Sequence, residues 1–405
     1  MKVLQFVDGL KYGDATGNFV IAISQILDAL GIENIIFTSV TDKEIKQATI
    51  RMDSHITINN EDLIISHYTG FSRSINRLIF KDTSKLLLYH NITPAKFFKN
   101  WSYRSYLYCK AGRSQLEVLP KIFDMAVSES TYNCDELKKA GFSKCFLLPI
   151  VVDKDSLLKH SYDTGIVKKY SDGFTNMVFV GRVVPNKKIE DLISVFEAYQ
   201  RTFNQHSRLI VVGATNEVPA YYDYLLNIVQ QKALGDSILF TGKVSTETLF
   251  AWYRCANIFV TMSEHEGFCI PLVESMVFKI PVVAYSTGAV PEILGDGGVL
   301  INNKDTPAIA KAINDIMSDK QYLSNLRIRQ EKNIERFSHD KFKENLQSIL
   351  KIVEENSKGR VHKKYSLKRI KAYILLNMVG VNIVITLFSL IKKSASLVKR
   401  KYHLF

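Results

Sequence analysis

The chain lacks most of the features that announce a cofactor or a secretory fate. Its five cysteines, Cys109, Cys134, Cys145, Cys255 and Cys269, are odd in number, scattered, and include no CxxC pair. That pattern argues against a disulfide framework and against a zinc site, and a reducing cytosol fits best. The glycines of DGLKYGDATGN, at 9, 13 and 17, do not form GxGxxG, so nicotinamide or flavin binding is not indicated. The apolar run in MKVLQFVDGL ends at Asp8 and is too short for the core of a signal peptide, so it reads as a first strand. Acidic residues are missing altogether from residue 358 onward, where twelve Lys and Arg lie. Removing those twelve from the net charge of +13 leaves +1 for residues 1–357. The body is therefore nearly neutral, and binding of nucleic acid loses its main support.

What is present is enough chain for two cores. At 405 residues, with 46% hydrophobic and 23% charged side chains, the composition is that of a globular protein of two domains. Short apolar runs bounded by Gly, Pro, Asn or Asp alternate with helical patterns. In the first half strands are expected at KVLQFV, NIIFTS, DLIIS, KLLLYH, DMAVS and CFLLPI; in the second half at NMVFVG, RLIVVG, SILFTG, IFVTM and PVVAY. Between the first two lies a helix over Asn18 to Leu30, with Val20, Ile23, Ile26, Leu27 and Leu30 at helical spacing. Such alternation predicts an α/β protein with parallel sheets covered by helices on both faces. The pattern restarts near residue 174. Two doubly wound domains are expected, at 1–152 and 174–340, with a linker at 153–173, a C-terminal helix at 341–357 and a basic tail at 358–405.

In such sheets ligands bind beyond the carboxyl ends of the strands, and four strand-end loops carry chemistry. The stretch SEHEGFCIPLVESM, residues 263–276, follows a strand. Pro271 suits the first turn of a helix, so a helix start is expected near Ile270, with amides around Phe268 to Leu272 pointing at an anion such as a diphosphate. Gly267 lets a backbone come close. Glu274 can accept two hydrogen bonds from a ribose diol, and Glu266 faces another part of the same ligand. The plainer reading, a dipole-complementing Glu274 and a solvated Glu266, has less to explain the agreement of glycine, proline, spacing and position. Arg182 and Lys187 follow another strand end and can neutralise a diphosphate without a metal, although Lys188 is an equally basic neighbour. His90 ends a strand and is as often structural as catalytic. Gly13 and Gly17 either admit a sugar phosphate or cap a helix. Asp153-Lys-Asp155 superficially resembles a metal-binding DxD, but its place in the linker favours a solvated pair.

These residues resemble a known family. SEHEGFCIPLVESM with PVVAYSTGAVPEILGDGG is similar to the E-x7-E region of retaining glycosyltransferases of family 4, which have the GT-B fold of two facing Rossmann-like domains. VGRVVPNKKIEDLI resembles that family's phosphate loop, and FTGKVSTETLFAWYRCA, with Val244, its base-contacting loop. YGDATGN and YHNITP resemble the N-terminal loops of a bacterial subgroup that builds lipopolysaccharide and other surface polysaccharides. The resemblance spans roughly residues 1–350. It implies that Arg182 and Lys187 hold the donor diphosphate, Glu274 the ribose and Glu266 the transferred sugar. Backbone amides of Gly267, Phe268, Cys269, Ile270 and Leu272 lie nearby, His90 sits against the donor sugar, and Gly13 and Gly17 approach the phosphates. Cys269 departs from the glycine of many members, and the first loop lacks their adjacent Gly-Gly. The implied protein is a metal-independent hexosyltransferase that needs no cofactor beyond its nucleotide diphosphate sugar and acts on a lipid-linked glycan. A sugar-nucleotide epimerase, a phosphorylase or a non-catalytic sugar-nucleotide binder remain alternatives.

The tail contains twenty uncharged residues, Ala372 to Ile391, a length that would span a bilayer. On a helical projection, however, Lys364, Lys368, Lys371, Asn382, Thr386, Ser389 and Lys393 fall on one side, while Ile370, Ile374, Val381, Ile385 and Phe388 lie away from it. Seven basic residues precede the stretch and five follow, so a span would carry one cluster across against the positive-inside tendency. An in-plane helix on the anionic inner face of the plasma membrane is expected, with the protein cytoplasmic and peripheral.

Overall fold

The computed structural model describes residues 1–357, apart from 12, 46, 48, 53, 55 and 56, together with residues 371–378. Seven strands form the first sheet: β1 (Val3–Leu10), β2 (Asn34–Thr41), β3 (Thr49–Arg51), β4 (Leu63–Tyr68), β5 (Ser84–Tyr89), β6 (Met125–Ser128) and β7 (Cys145–Leu147). Six form the second: β8 (Thr175–Val180), β9 (Ser207–Val212), β10 (Ile238–Gly242), β11 (Ile258–Thr261), β12 (Val282–Tyr285) and β13 (Val299–Ile301). The orders are β3-β2-β1-β4-β5-β6-β7 and β10-β9-β8-β11-β12-β13. Pairings such as Val3 with Asn34 and Leu63, and Ile258 with Met177, are parallel. Each sheet reverses direction of growth beside its first strand, which opens a crevice at the carboxyl ends of β1 and β4 in one domain and of β8 and β11 in the other. The two-domain α/β reading holds, and the architecture is GT-B.

Every position of β4 and β5 is buried, as expected of parallel strands covered on both faces. The first helix runs Ala15–Ala29, a turn earlier than its apolar spacing suggests, because the Asp14 side chain accepts from Thr16 N–H and starts it there. β3 and β13, three residues each, are too short to show a period and escape the sequence reading. Residues 153–173 are not extended: helices Lys154–Lys159 and Thr164–Tyr170 occupy them, and Tyr170 packs edge-on to Trp252 of the second domain. Asp153 caps the first of these helices and Asp155 pairs with Lys159. The helix His339–Ser357 returns to the first domain, where Phe342 meets Phe19 edge-on and Lys144 reaches Asn356. Within the tail, helix 371–378 buries Ala372 and Leu376 and sets Tyr373 tilted against Phe80 of the first domain. The rest of the expected amphipathic stretch in 358–405 lies outside the described residues.

One expectation is corrected. Cys134 and Cys145 are joined by a disulfide across 11 residues of chain, while Cys109, Cys255 and Cys269 are free. Cys134 lies on helix Thr131–Lys139, which packs against β7, where Cys145 sits. The α/β crossover creates this proximity, and nothing in cysteine spacing reveals it.

Candidate active site

The loop after β11 is held in place before any ligand is considered. Glu264 N–H donates to the Asn186 carbonyl at 2.8 Å, and the Asn186 side chain donates to the His265 carbonyl at 3.1 Å. From the loop after β12, Thr287 donates to the Glu264 carbonyl and Ala289 N–H to that of Glu266. On this frame Glu266, 6% exposed, meets Lys187: Lys187 Nζ lies 2.7 Å from both carboxylate oxygens. Lys187 ends the 3-10 turn Pro185–Lys187 after β8. Lys188 turns instead to Glu190 at 3.3 Å, which settles which of the two lysines faces the carboxylate. Arg182 is well exposed and pairs with Glu217 at 2.8 Å.

Helix Ile270–Val277 begins where Pro271 places it, and no side chain caps its start. Pro271 carries no N–H and the Leu272 amide donates to the Cys269 carbonyl at 3.0 Å, so the amide left uncapped at this start is that of Ile270. Cys269, at φ 76°, takes the left-handed conformation that L residues usually leave to glycine. Burial and the Glu266 carboxylate push its thiol up, so it is held as the neutral form. Phe268 and Leu272 turn their side chains into the core, Phe268 edge-on to Phe337, leaving only their backbone to the site, beside half-buried Ile270. Glu274 is half-buried one turn on and accepts from the Tyr253 hydroxyl at 2.6 Å. Burial raises its carboxyl while the Tyr253 bond opposes. Val244, half-buried between β10 and the Ser245-capped helix, packs toward Trp252.

Across the cleft the first domain contributes side chains that the sequence did not single out. Ser130 Oγ donates to the Gly267 carbonyl at 2.7 Å, and the Thr131 amide donates to Glu292. Asn91, at φ 71°, accepts from His265 Nε2 at 2.7 Å. A Cβ on Gly267 would stand 2.5 Å from that of Asn91, so what approaches the Gly267 backbone is the opposing domain. Burial, with Arg113, Lys187 and Lys96 nearby, pulls His265 down to about 3.

His90 lies deeper than expected. Its Nδ1 meets Glu129 at 2.5 Å and its Nε2 meets His67 Nδ1 at 3.0 Å; His67 Nε2 in turn donates to the Gln5 side-chain Oε1 at 3.0 Å. Burial, then His90, lowers His67, which is therefore neutral. With both ring nitrogens engaged, His90 supports the loop that carries Asn91. Gly13 adopts φ 71° in open space, whereas a Cβ on Gly17 would stand 2.3 Å from the Lys11 carbonyl. Gly17 is thus explained by helix-to-loop packing.

Residues 168–337 match the family described as Glycosyl transferases group 1. An uncharacterized glycosyltransferase of Methanocaldococcus jannaschii is 28% identical over 185 residues, 44% of this chain and 45% of the relative. The O-antigen chain mannosyltransferase B of Escherichia coli is 28% identical over 145 residues, 36% of this chain and 37% of the relative. The chain thus spans less than half the length of these relatives. Among solved structures, sucrose-phosphate synthase from Thermosynechococcus elongatus superposes with a TM-score of 0.69 at 18% identity, over 88% of this chain and 100% of that one.

Proposed function

We propose that the protein is a retaining, metal-independent glycosyltransferase that moves a hexose from a nucleotide diphosphate sugar to a glycan hydroxyl. The observation that carries this reading is the gathering, at the carboxyl ends of β8 and β11, of Lys187, Glu266, the uncapped helix start at Ile270 and Glu274. The helix start and Lys187 receive the diphosphate, and Arg182 swings from the exposed Glu217 to join them. Glu274 takes the ribose diol, with the base toward Val244. Glu266 lies by the sugar, and His90 positions the Asn91 loop over it. The match over residues 168–337 supports the donor half of this assignment. Both Glu266 oxygens are engaged by Lys187, which suits a charge-holding group better than a free general base and so favours retention of the anomeric configuration. Because the cations Lys187 and Arg182 stand in the metal's role, a chelator should leave turnover unchanged.

The acceptor proposed is a lipid-linked glycan of bacterial lipopolysaccharide or related polysaccharide assembly; the O-antigen relative supports this. So does helix 371–378, which docks through Ala372 and Leu376 while leaving Ile374, Leu375 and Met378 exposed between basic clusters. We place the protein on the inner face of the plasma membrane. Among the described residues no helix is long and apolar enough to cross a membrane. The Cys134–Cys145 bond pulls the other way on compartment, since disulfides persist in oxidising surroundings; thiol trapping in intact cells decides that point. The test of the reaction is a thermal-stabilisation screen of UDP-, GDP-, ADP- and dTDP-sugars, followed by turnover with the best ligand. Binding to the native state raises the melting point by mass action. At least one donor should stabilise the parent, and Glu266→Ala should abolish transfer. Transfer by Glu266→Ala at the parental rate would overturn the assignment.

A further inference from the structure

The first domain carries a polar group at its own strand ends that the donor site does not use. Asp8 is exposed near the carboxyl end of β1. Its Oδ1 lies 3.1 Å from the Ser72 hydroxyl and 3.0 Å from that of Ser74, and these two hydroxyls lie 2.6 Å apart, so one donates to the other and the second donates to the carboxylate. Among the described residues Oδ2 has no hydrogen-bond partner. A carboxylate held on one oxygen by this hydroxyl pair leaves its second oxygen as a charged acceptor.

The surroundings are built to hold it. Ser72 is 4% exposed, and buried Gln115 clamps its backbone from both sides. Gln115 Oε1 accepts from Ser72 N–H and its amide donates to the Ser72 carbonyl, each at 2.8 Å. The buried Tyr68 hydroxyl ties the same Gln115 and the Gly112 carbonyl. A Cβ on Gly70, two residues before Ser72, would stand 2.4 Å from the Tyr108 ring, so that ring lies directly on the Gly70 backbone. That ring lies against the clamped backbone, yet Tyr108 remains 48% exposed. Burial and then the Asp8 charge raise its phenol. Asp8 near the end of β1 and Ser72 and Ser74 after the end of β4 thus stand at the strand-end crevice of the first domain, with the Tyr108 ring against the Gly70 backbone.

We propose that Asp8, Ser72, Ser74 and Tyr108 form the subsite that receives the acceptor sugar. A pyranose presents hydroxyls at its edge and C–H groups on its faces. Asp8 Oδ2 accepts from an edge hydroxyl, a charge-assisted bond stronger than a neutral one, and the Tyr108 ring covers a face. Because the serines and Gln115 fix the carboxylate beforehand, little ordering is lost on binding. This rests on the transferase reading above.

The experiment measures transfer from the most stabilising nucleotide sugar to octyl mannoside, octyl glucoside and octyl galactoside, with donor affinity measured separately by calorimetry. Asp8→Asn keeps the shape and the acceptor oxygen for the serines but removes the charge; it is expected to raise the acceptor KM at least tenfold while the donor Kd stays within twofold. Tyr108→Ser, at a half-exposed position that folding tolerates, is expected to do the same. If the parent transfers and both folded variants keep the parental acceptor KM, the subsite is wrong while the transferase reading stands. If donor affinity falls in step with acceptor affinity, these residues belong to the donor site and the proposal fails. A parent that consumes no donor with any of the three acceptors contradicts the transferase reading itself.

Discussion

Lys187 and Glu266 are each mostly buried, with side chains 16% and 7% exposed, and each is the other's charge partner at 2.7 Å. Removing one leaves the other charged in a low-dielectric site, a loss of about 3–5 kcal/mol for a fully buried pair, and somewhat less where solvent still reaches the lysine. Glu266→Ala is therefore expected to lower stability by roughly 3 kcal/mol as well as stopping transfer. Lys187→Met combined with Glu266→Leu should cost less than either single change, as read from urea unfolding midpoints. His265 makes a second residue-scale prediction. Its folded pKa lies near 3, below its ordinary 6.5. The unfolded chain therefore takes up a proton that the folded one refuses. Its contribution is full above pH 6.5 and is lost as pH falls toward 3, at up to about 1.4 kcal/mol per unit. Between pH 6.5 and 5 the parent should lose about 2 kcal/mol more than His265→Gln, which keeps a donor for Asn91 but cannot titrate.

The helix Thr131–Lys139 is one of the elements that join the two domains, beside the Asn91 loop and Trp101, which meets Tyr221 and Tyr224. Ser130 caps it by accepting from Asn133 N–H and also donates to the Gly267 carbonyl, while Thr131 engages Glu292. Ser130→Ala loses both cap and cross-domain bond and should cost about 1–2 kcal/mol, with a wider cleft seen by small-angle scattering. Elements of this size divide into those the sequence displays and those it hides. The start of helix Ile270–Val277 was legible because Pro271 fixes it, and the long strands because their apolar runs are bounded by turn residues. β3 and β13 were not, since three residues carry no period. Lys187, Glu266 and Glu274 were legible from strand-end placement. Asn91, Ser130, His265 and the His67–His90–Glu129 chain were not, because their pairings join residues 23 to 174 positions apart and only the packed fold brings them together. The Cys134–Cys145 bond, though it spans only 11 residues, was missed because only the α/β crossover brings the two cysteines together.

At the scale of the whole molecule, charge is divided between a body near neutrality and a tail with twelve cations. The tail's described helix packs on the first domain, where Tyr373 meets Phe80. Membrane attachment through it, as proposed above, would hold the first domain at the membrane surface. Deleting residues 358–405 should release the protein from membranes while transfer to a water-soluble acceptor survives; sedimentation with membranes after truncation would place the anchor elsewhere. All of this depends on whether the crevice at β8 and β11 holds a nucleoside diphosphate on Lys187, Glu274 and the helix start. Calorimetric titration of UDP, GDP, ADP and dTDP into the parent, Lys187→Ala and Glu274→Ala measures that directly. The account predicts that at least one nucleotide binds the parent and that each substitution weakens it at least tenfold. Equal affinity in all three proteins, or no binding to the parent by any of the four, would contradict it.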